Sequence, residues 1–340
     1  MMDPLKRTAV LTLSLLLAAC APAQRPASST DGAESALPAP AASESSAAQP
    51  PSAEGAESFP RIDGSTANHP LITRIYSEIC GISREEAETL VDLDLGSTGS
   101  IWQKMLYGGE SCLLIVYEPP EEVKEASAAE LAQLEIDPIG RDGLVFLANA
   151  QNPVESLTVE ELRKIYTAQL TDWSEVGGEP GPIQPFQRNP DSGSQTLFMK
   201  LLMRGKQPMT PPTELVQQTM GGLIDGVAAF DGSGSALGYS VYYYASLMYG
   251  NPNLKLLAVD GVAPSNESIG NQSYPLTNDF YLVIRADEPA DSPVRALRDW
   301  LLTDEGKRLL EEENYVWARA GMPQQSAGAG NPFESSSLPG

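Results

Sequence analysis

The most informative passage of this 340-residue chain reads Phe186-Gln187-Arg188-Asn189-Pro190-Asp191-Ser192-Gly193-Ser194-Gln195-Thr196. A mostly apolar segment over 197–203 follows and predicts a helix. Serine, aspartate and glycine are preferred where a helix begins, and the first N–H groups of a helix have no intrahelical acceptor. The turn is therefore either a plain helix cap or an oxyanion site that combines N–H groups, hydroxyls and the guanidinium of Arg188.

Two further turns have the same composition. Residues 63–66 (Asp-Gly-Ser-Thr) and 96–100 (Gly-Ser-Thr-Gly-Ser) each precede a predicted helix. Capping alone explains any one of these turns, but three of them together favour anion binding. The pattern G-x-x-x-x-G-K-[ST] is absent from the sequence, so a nucleotide P-loop is not predicted.

Strand-like and helix-like segments alternate through the rest of the chain, which predicts an α/β fold. Capping-box sequences begin two of the helices, at Ser83 and at Thr158. The predicted helices cover 71–80, a segment from 83 onwards, 158–171, 197–203, 294–302 and 305–313. Apolar runs predict strands at 113–117, 144–148, 236–241 and 280–284, and the first two runs are typical of buried parallel strands.

From about residue 61 to about residue 317, the chain resembles the substrate-binding proteins of phosphate ABC importers. The resemblance is most specific in residues 171–178 (Thr-Asp-Trp-Ser-Glu-Val-Gly-Gly) and in the passage quoted first, and the 63–66 turn matches the first loop of that family. It implies an α/β, two-lobed type II periplasmic-binding fold with the ligand cleft between the lobes. Lobe I would comprise residues 60–149 plus 262–320, and lobe II residues 150–261.

The resemblance also implies which residues bind the ligand. In this chain the matching positions are Ser65, Thr66, Ser97, Thr98, Arg188, Ser192, Gly193 and Ser194. The family's phosphate binders place an aspartate after the strand that follows the second loop, where it accepts a hydrogen bond from the protonated oxyanion. Glu118, one methylene longer, is the matching residue here, and the alternative is a solvated charge beside Pro119 and Pro120.

The ends of the chain predict export rather than folded structure. Residues 1–20 combine a short basic segment, an apolar run and the sequence Leu-Ala-Ala-Cys, which together are typical of a bacterial lipoprotein signal. Cys20 would then be diacylated and anchor the protein to the membrane; the alternative is an ordinary signal peptide with a chance cysteine. Residues 21–59 predict a disordered tether, and residues 321–340 a flexible tail.

Composition excludes several classes of protein. The formal net charge of −23 argues against binding nucleic acid, which requires a basic surface. One histidine, His69, and three cysteines exclude multi-histidine metal sites and iron–sulfur clusters, and neither a metal nor a cofactor is predicted. Cys80 and Cys112 remain after lipidation of Cys20, either as a disulfide, which export permits, or as two buried thiols.

The function expected from these observations is that of a monomeric, lipid-anchored, extracytoplasmic solute-binding protein. It would deliver phosphate or a related oxyanion to an ABC permease in the membrane, and it would not be an enzyme. One alternative is a receptor on the same fold that senses its ligand or acts as a surface adhesin. Another is a secreted hydrolase with Ser65 or Ser192 as nucleophile and His69 as base, although the sequence lacks a G-x-S-x-G motif.

Overall fold

The structure is a computed structural model, and the residues that it describes are 59–91, 96–108, 112–230 and 235–318. The predicted signal with Cys20, the tether up to residue 58 and the predicted tail 321–340 lie outside these ranges. Within them, no helix is both long enough and apolar enough to cross a membrane.

The described strands, in chain order, are β1 (Ile62–Gly64), β2 (Leu113–Val116), β3 (Leu134–Asn149), β4 (Ser156–Leu157), β5 (Gln184–Pro185), β6 (Gln187–Arg188), β7 (Val216–Gln217), β8 (Ala236–Val241), β9 (Leu254–Val259), β10 (Thr277–Arg285) and β11 (Val316–Trp317). In lobe I, β1 is parallel to β2, β2 is antiparallel to β10, and β10 and β11 are antiparallel to the first part of β3. In lobe II, the last part of β3 lies between β8 and β9, with β5 beside β8 and β4 beside β9. The short strands β6 and β7 form a separate parallel pair.

One strand passes directly from lobe I to lobe II. Gly143 of β3 is the partner of Thr277 in β10, whereas Leu144 is the partner of Val241 in β8. The neighbours of β3 therefore change between residues 143 and 144, inside the strand, while the sequence placed the limit of lobe I at residue 149. This shared strand connects the two sheets without an intervening loop.

The expectation of a parallel strand at 144–148 is wrong. This segment is antiparallel to both β8 and β9. Its residues are nevertheless buried on both faces of the sheet, as the apolar run indicated. A continuous apolar run indicates that both faces of a strand are buried. It does not indicate whether the neighbouring strands are parallel or antiparallel.

The described helices are α1 (His69–Cys80), α2 (Arg84–Leu90), α3 (Thr98–Tyr107), α4 (Glu121–Ala126), α5 (Ala128–Leu131), α6 (Val159–Tyr166), α7 (Gly193–Leu197), α8 (Met220–Ala229), α9 (Asn266–Gly270), α10 (Pro293–Leu301) and α11 (Asp304–Glu312). α7 continues as a π-helical turn over Phe198–Met203. The capping boxes predicted at Ser83 and Thr158 are both present. α6 ends before the predicted residue 171, because Ala168 has a φ of 56°, which a right-handed helix does not allow.

Cys80 and Cys112 are not joined by a disulfide; both are thiols. Cys112 shares an apolar cluster with Leu114, whereas Cys80 packs against the cluster that contains Leu113. Side chains alternate between the two faces of a strand, so the two cysteines lie on opposite sides of the lobe I sheet. The structure therefore favours the alternative of two thiols.

A buried carboxylate lies where β3 crosses between the lobes. Asp142 Oδ2 accepts a hydrogen bond of 2.7 Å from the hydroxyl of Tyr117 in lobe I. Its Oδ1 accepts from the backbone N–H of Tyr243 in lobe II at 3.2 Å and from that of Gly143 at 2.7 Å. Burial raises the pKa of Asp142 to about 6, although these hydrogen bonds oppose the shift.

This pKa predicts a specific pH dependence of stability. Because the pKa in the folded protein lies above the ordinary 3.8, the contribution of Asp142 is fully present below that pH and is lost as the pH rises through 6. Relative to an Asp142→Asn variant, the free energy of unfolding should fall by up to about 3 kcal/mol between about pH 4 and about pH 7. Urea unfolding of both proteins measures this difference, and a pH-independent difference would contradict the prediction.

Candidate anion site between the lobes

The three hydroxyl-rich turns meet in the structure. The N–H of Gly99, in the first turn of α3, donates across the lobes to the carbonyl oxygen of Asp191 at 3.1 Å. The hydroxyls of Thr98 and Ser65 lie 3.2 Å apart. A Cβ atom added to Gly193 would lie 2.7 Å from Thr98 Oγ1. The three turns, far apart in sequence, therefore converge at one place between the lobes.

In two of the turns, a serine caps the helix and still has a hydroxyl proton to donate. Ser97 Oγ accepts from the N–H of Ser100 at 3.1 Å, and Ser192 Oγ accepts from the N–H of Gln195 at 3.1 Å. A hydroxyl that accepts one hydrogen bond remains a donor through its own O–H. The capping and the anion-binding interpretations of these turns are thus compatible.

Backbone donors are available at the start of α7. Gly193 and Ser194 are its first two residues, so their N–H groups have no acceptor within the helix. Neither N–H group donates a hydrogen bond to any other acceptor among the described residues. The helix continues through the π-helical turn to Met203, so its dipole adds a partial positive charge at this end.

The 63–66 turn contributes one residue that holds the site together and one that is exposed. Ser65 is buried, and its hydroxyl contacts Thr98 and accepts from the N–H of Tyr117 at 3.2 Å. Thr66 is exposed, and its hydroxyl makes no hydrogen bond within the described part of the chain. Ser65 links the first turn to α3 and to the end of β2, and Thr66 stays a predicted ligand-binding residue.

Arg188 is a buried cation with neutral neighbours. It is 8% exposed, and its guanidinium donates to the carbonyl oxygens of Gln217 and Gln218 at 3.1 and 3.2 Å and to Ser194 Oγ at 3.2 Å. Among the described residues, no carboxylate lies within 4.0 Å of this guanidinium. Burial lowers the pKa of Arg188 to about 10, so the group remains charged at neutral pH.

A guanidinium has five N–H groups, and the three hydrogen bonds of Arg188 leave two of them. Burying a charge without a counter-ion costs free energy, so buried charges in proteins are normally paired. The two remaining N–H groups of Arg188, beside the open donors of α7, therefore define a place where a small anion would supply the missing charge.

Tyr239 in β8 positions this arginine, a role that sequence reasoning missed. Its hydroxyl accepts from the backbone N–H of Arg188 at 3.0 Å and donates to Gln195 Oε1 in α7. Its ring stacks on Phe198, with centroids 4.5 Å apart and planes inclined by 10°. Burial raises the pKa of Tyr239 above its usual value, so the hydroxyl is neutral at neutral pH and can donate a hydrogen bond.

Tyr239→Phe should weaken anion binding by about 3- to 10-fold, because it removes both hydrogen bonds of the hydroxyl and loosens the spacing of Arg188 and α7. Tyr166→Phe is the matched control. Its hydroxyl is equally buried against Tyr239 but makes no hydrogen bond. Calorimetric titration of both variants with phosphate measures the effect, and equal affinities would contradict the positioning role.

Glu118 has contacts that the sequence did not predict. It is 2% exposed, so the alternative of a solvated charge is wrong. Its two carboxylate oxygens are bound by the ammonium groups of Lys124 in α4 and Lys200 in lobe II. Each carboxylate oxygen can accept more than one hydrogen bond, so these contacts are compatible with the predicted acceptor role toward a protonated ligand.

The hydrolase alternative lacks its geometry among the described residues. His69 is half-buried at the first position of α1, and its Nε2 has no hydrogen-bond partner. No hydrogen bond joins it to Ser65 or to Ser192 within the described ranges. Those ranges also contain no group of three or more His, Cys, Asp or Glu residues that could hold a metal ion.

Comparisons with known proteins agree with this architecture. A family model described as a PBP superfamily domain matches residues 77–305. The phosphate-binding protein PstS of Bacillus subtilis is 26% identical over 222 residues, which cover 63% of this chain and 66%, just under two thirds, of that protein. A putative phosphate ABC transporter substrate-binding protein with bound phosphate, from Clostridium perfringens, has a TM-score of 0.58 at 22% identity and covers 75% of this chain and 98% of its own. An ABC-type phosphate transport receptor from Vibrio cholerae has a TM-score of 0.56 at 24% identity with the same coverage.

These similarities confirm the α/β, two-lobed binding-protein fold that the sequence predicted. Because the family model covers more than half of the sequence, the chain belongs to the PBP superfamily. The resemblance stated from the sequence is confirmed as well, since the family model matches most of the folded region and the sequence relative is a phosphate-binding protein.

Proposed function

We propose that this protein is an extracytoplasmic solute-binding protein that captures phosphate, or a closely related oxyanion, between its two lobes. The single observation that carries the proposal is the buried guanidinium of Arg188, which has no carboxylate partner among the described residues. It adjoins the open N–H groups of Gly193 and Ser194 and the convergent hydroxyls of the three turns. A tetrahedral oxyanion has acceptors in several directions and therefore suits donors that come from both lobes.

The strongly negative net charge is compatible with this ligand. At about 0.15 M salt the Debye length is about 8 Å, so most distant carboxylates are screened from the site. The local donors act in a buried environment where charge interactions are stronger than in water. The charge therefore affects the rate of capture more than the affinity, and we expect the association rate to increase with added salt.

The wider role in transport rests on the relatives and on the sequence. The protein would deliver its ligand to an ABC permease, bind and release without chemistry, and act as a monomer anchored through a diacylated Cys20. The related phosphate-binding and phosphate-transport proteins support the transport context. The lipobox sequence supports the anchor.

Calorimetric titration of the intact chain with phosphate, sulfate and molybdate tests the proposed ligand. We expect one phosphate per chain, with weaker binding of sulfate. Comparable binding of all three would identify a general oxyanion binder. No heat with any of them, from a folded protein, would contradict an inorganic oxyanion and indicate an organic ligand.

A further inference from the structure

Lys200 is a lobe II residue whose ammonium group contacts two residues of lobe I. It lies in the π-helical turn that continues α7. Its ammonium group binds Oε2 of Glu118, which follows β2, and donates to Asn278 Oδ1 of β10 at 2.9 Å. Asn278 is the register partner of Asp142, so these contacts lie beside the crossing strand.

Glu118 depends on this contact because its surroundings exclude water. Its side chain is 3% exposed, whereas that of Lys200 is 37% exposed. Burial of a carboxylate costs free energy that close cationic or hydrogen-bonding partners offset. One partner, Lys124, belongs to the same lobe as Glu118, but the other reaches it from the opposite lobe.

A hinge movement between the lobes would affect the contacts of Lys124 and Lys200 with Glu118 differently. When lobes separate, contacts within one lobe persist and contacts across the cleft break. If the lobes separate as rigid bodies, the pair formed by Glu118 and Lys124 would persist, whereas the contacts of Lys200 with Glu118 and Asn278 would be lost. The anion site would close in the same movement, because Gly99 and Asp191 are also joined across the lobes.

We propose that Lys200 is a positioning residue that stabilises the closed arrangement of the lobes by pairing with Glu118 before any ligand binds. Its consequence for affinity rests on the proposed function. The apparent dissociation constant of a ligand increases as the fraction of binding-competent protein falls, so Lys200 would strengthen anion binding without touching the anion. Glu118 would then serve the closure of the site rather than contact the ligand.

The test compares Lys200→Met with Lys124→Met, which removes the other ammonium group from the same carboxylate. The first readout uses ligand-free protein and follows hydrogen exchange at the Gly99 amide, which is protected by its bond to Asp191 across the lobes. We expect exchange about 10-fold faster in Lys200→Met and less than about 2-fold faster in Lys124→Met. Lys200→Arg, which keeps the charge, should exchange at nearly the wild-type rate.

The second readout is the dissociation constant for inorganic phosphate, which should rise about 10-fold in Lys200→Met and change little in Lys124→Met. Equal effects of the two substitutions on Gly99 exchange, or no effect of Lys200→Met, would overturn the proposal. If the wild-type protein binds no phosphate, the proposed function fails, but the exchange experiment still decides whether Lys200 holds the lobes together.

Discussion

Replacing Arg188 by methionine should raise the dissociation constant for phosphate at least about 100-fold, which corresponds to about 2.7 kcal/mol. Methionine fills a similar volume but cannot donate, so the ligand would lose the one full positive charge of the site. Stability should respond differently. The guanidinium is buried without a carboxylate partner among the described residues, and burial lowers its pKa to about 10. Its removal should therefore change the free energy of unfolding by no more than about 1 kcal/mol.

Arg163→Met is the matched control for this substitution. Arg163 lies in the same lobe and is also largely buried, but its guanidinium pairs with Glu160 at 2.7 Å and donates to the carbonyl oxygen of Leu202 at 2.9 Å. The two variants should differ in phosphate binding. Arg188→Met should lose binding with little change in the free energy of unfolding, whereas Arg163→Met should bind phosphate like the wild-type protein. Calorimetry and urea unfolding measure both quantities. Phosphate binding that survives Arg188→Met unchanged would contradict the site.

Gly193→Ala should have the second-largest effect, because it places a methyl group where the lobes meet. The new Cβ would lie 2.7 Å from Thr98 Oγ1 and 3.6 Å from the Cβ of Tyr117. Both neighbours belong to lobe I, so the lobes must separate slightly and the donors of the three turns lose their common centre. We expect phosphate affinity to fall by about 10- to 100-fold, the range of one to two lost hydrogen bonds to a charged ligand.

Gly181→Ala provides the control for the Gly193 substitution, since no atom lies within 4 Å of a Cβ added at Gly181 in the same lobe. A second variant separates crowding from other effects. Thr98→Ala removes a hydroxyl of the site but also the atom that the new methyl group meets, so Gly193→Ala should cost less affinity in the Thr98→Ala background than in the wild-type protein. Wild-type affinity in Gly193→Ala, measured by calorimetry, would show that the ligand does not require this contact between the lobes.

Local signals in the sequence were sufficient for much of the fold and of the site. The capping boxes at Ser83 and Thr158 and the strand over Ala236–Val241 depend on adjacent residues, and the structure contains them as predicted. The three turns were recognised for the same reason, because Ser, Thr, Asp and Gly at a helix start have a direct physical meaning. Their convergence between the lobes followed only from the family resemblance.

What could not be predicted depends on tertiary contacts. The side chain of Tyr117 reaches Asp142, while the carboxylate of the adjacent Glu118 meets two lysines, one of them 82 residues away in sequence. The spacing of a motif does not show which of two neighbouring side chains faces a cleft. The same limit applies to Tyr239, since its contact with Arg188 joins strands that are 51 residues apart. The same limit applies to β3. The first half of this strand contains several polar residues, so the sequence did not predict that the strand begins at Leu134 and continues into the other lobe.

The most direct test of the central claim is a crystal structure of the intact protein with phosphate. We expect one tetrahedral anion between the lobes, with its oxygens at about 3 Å from the guanidinium of Arg188 and from the backbone nitrogens of Gly193 and Ser194. At least one hydroxyl from the turn of Thr66 or of Thr98 should complete its contacts from lobe I. An anion bound elsewhere, or a cleft in which Arg188 acquires a protein carboxylate while the protein still binds phosphate, would contradict the account.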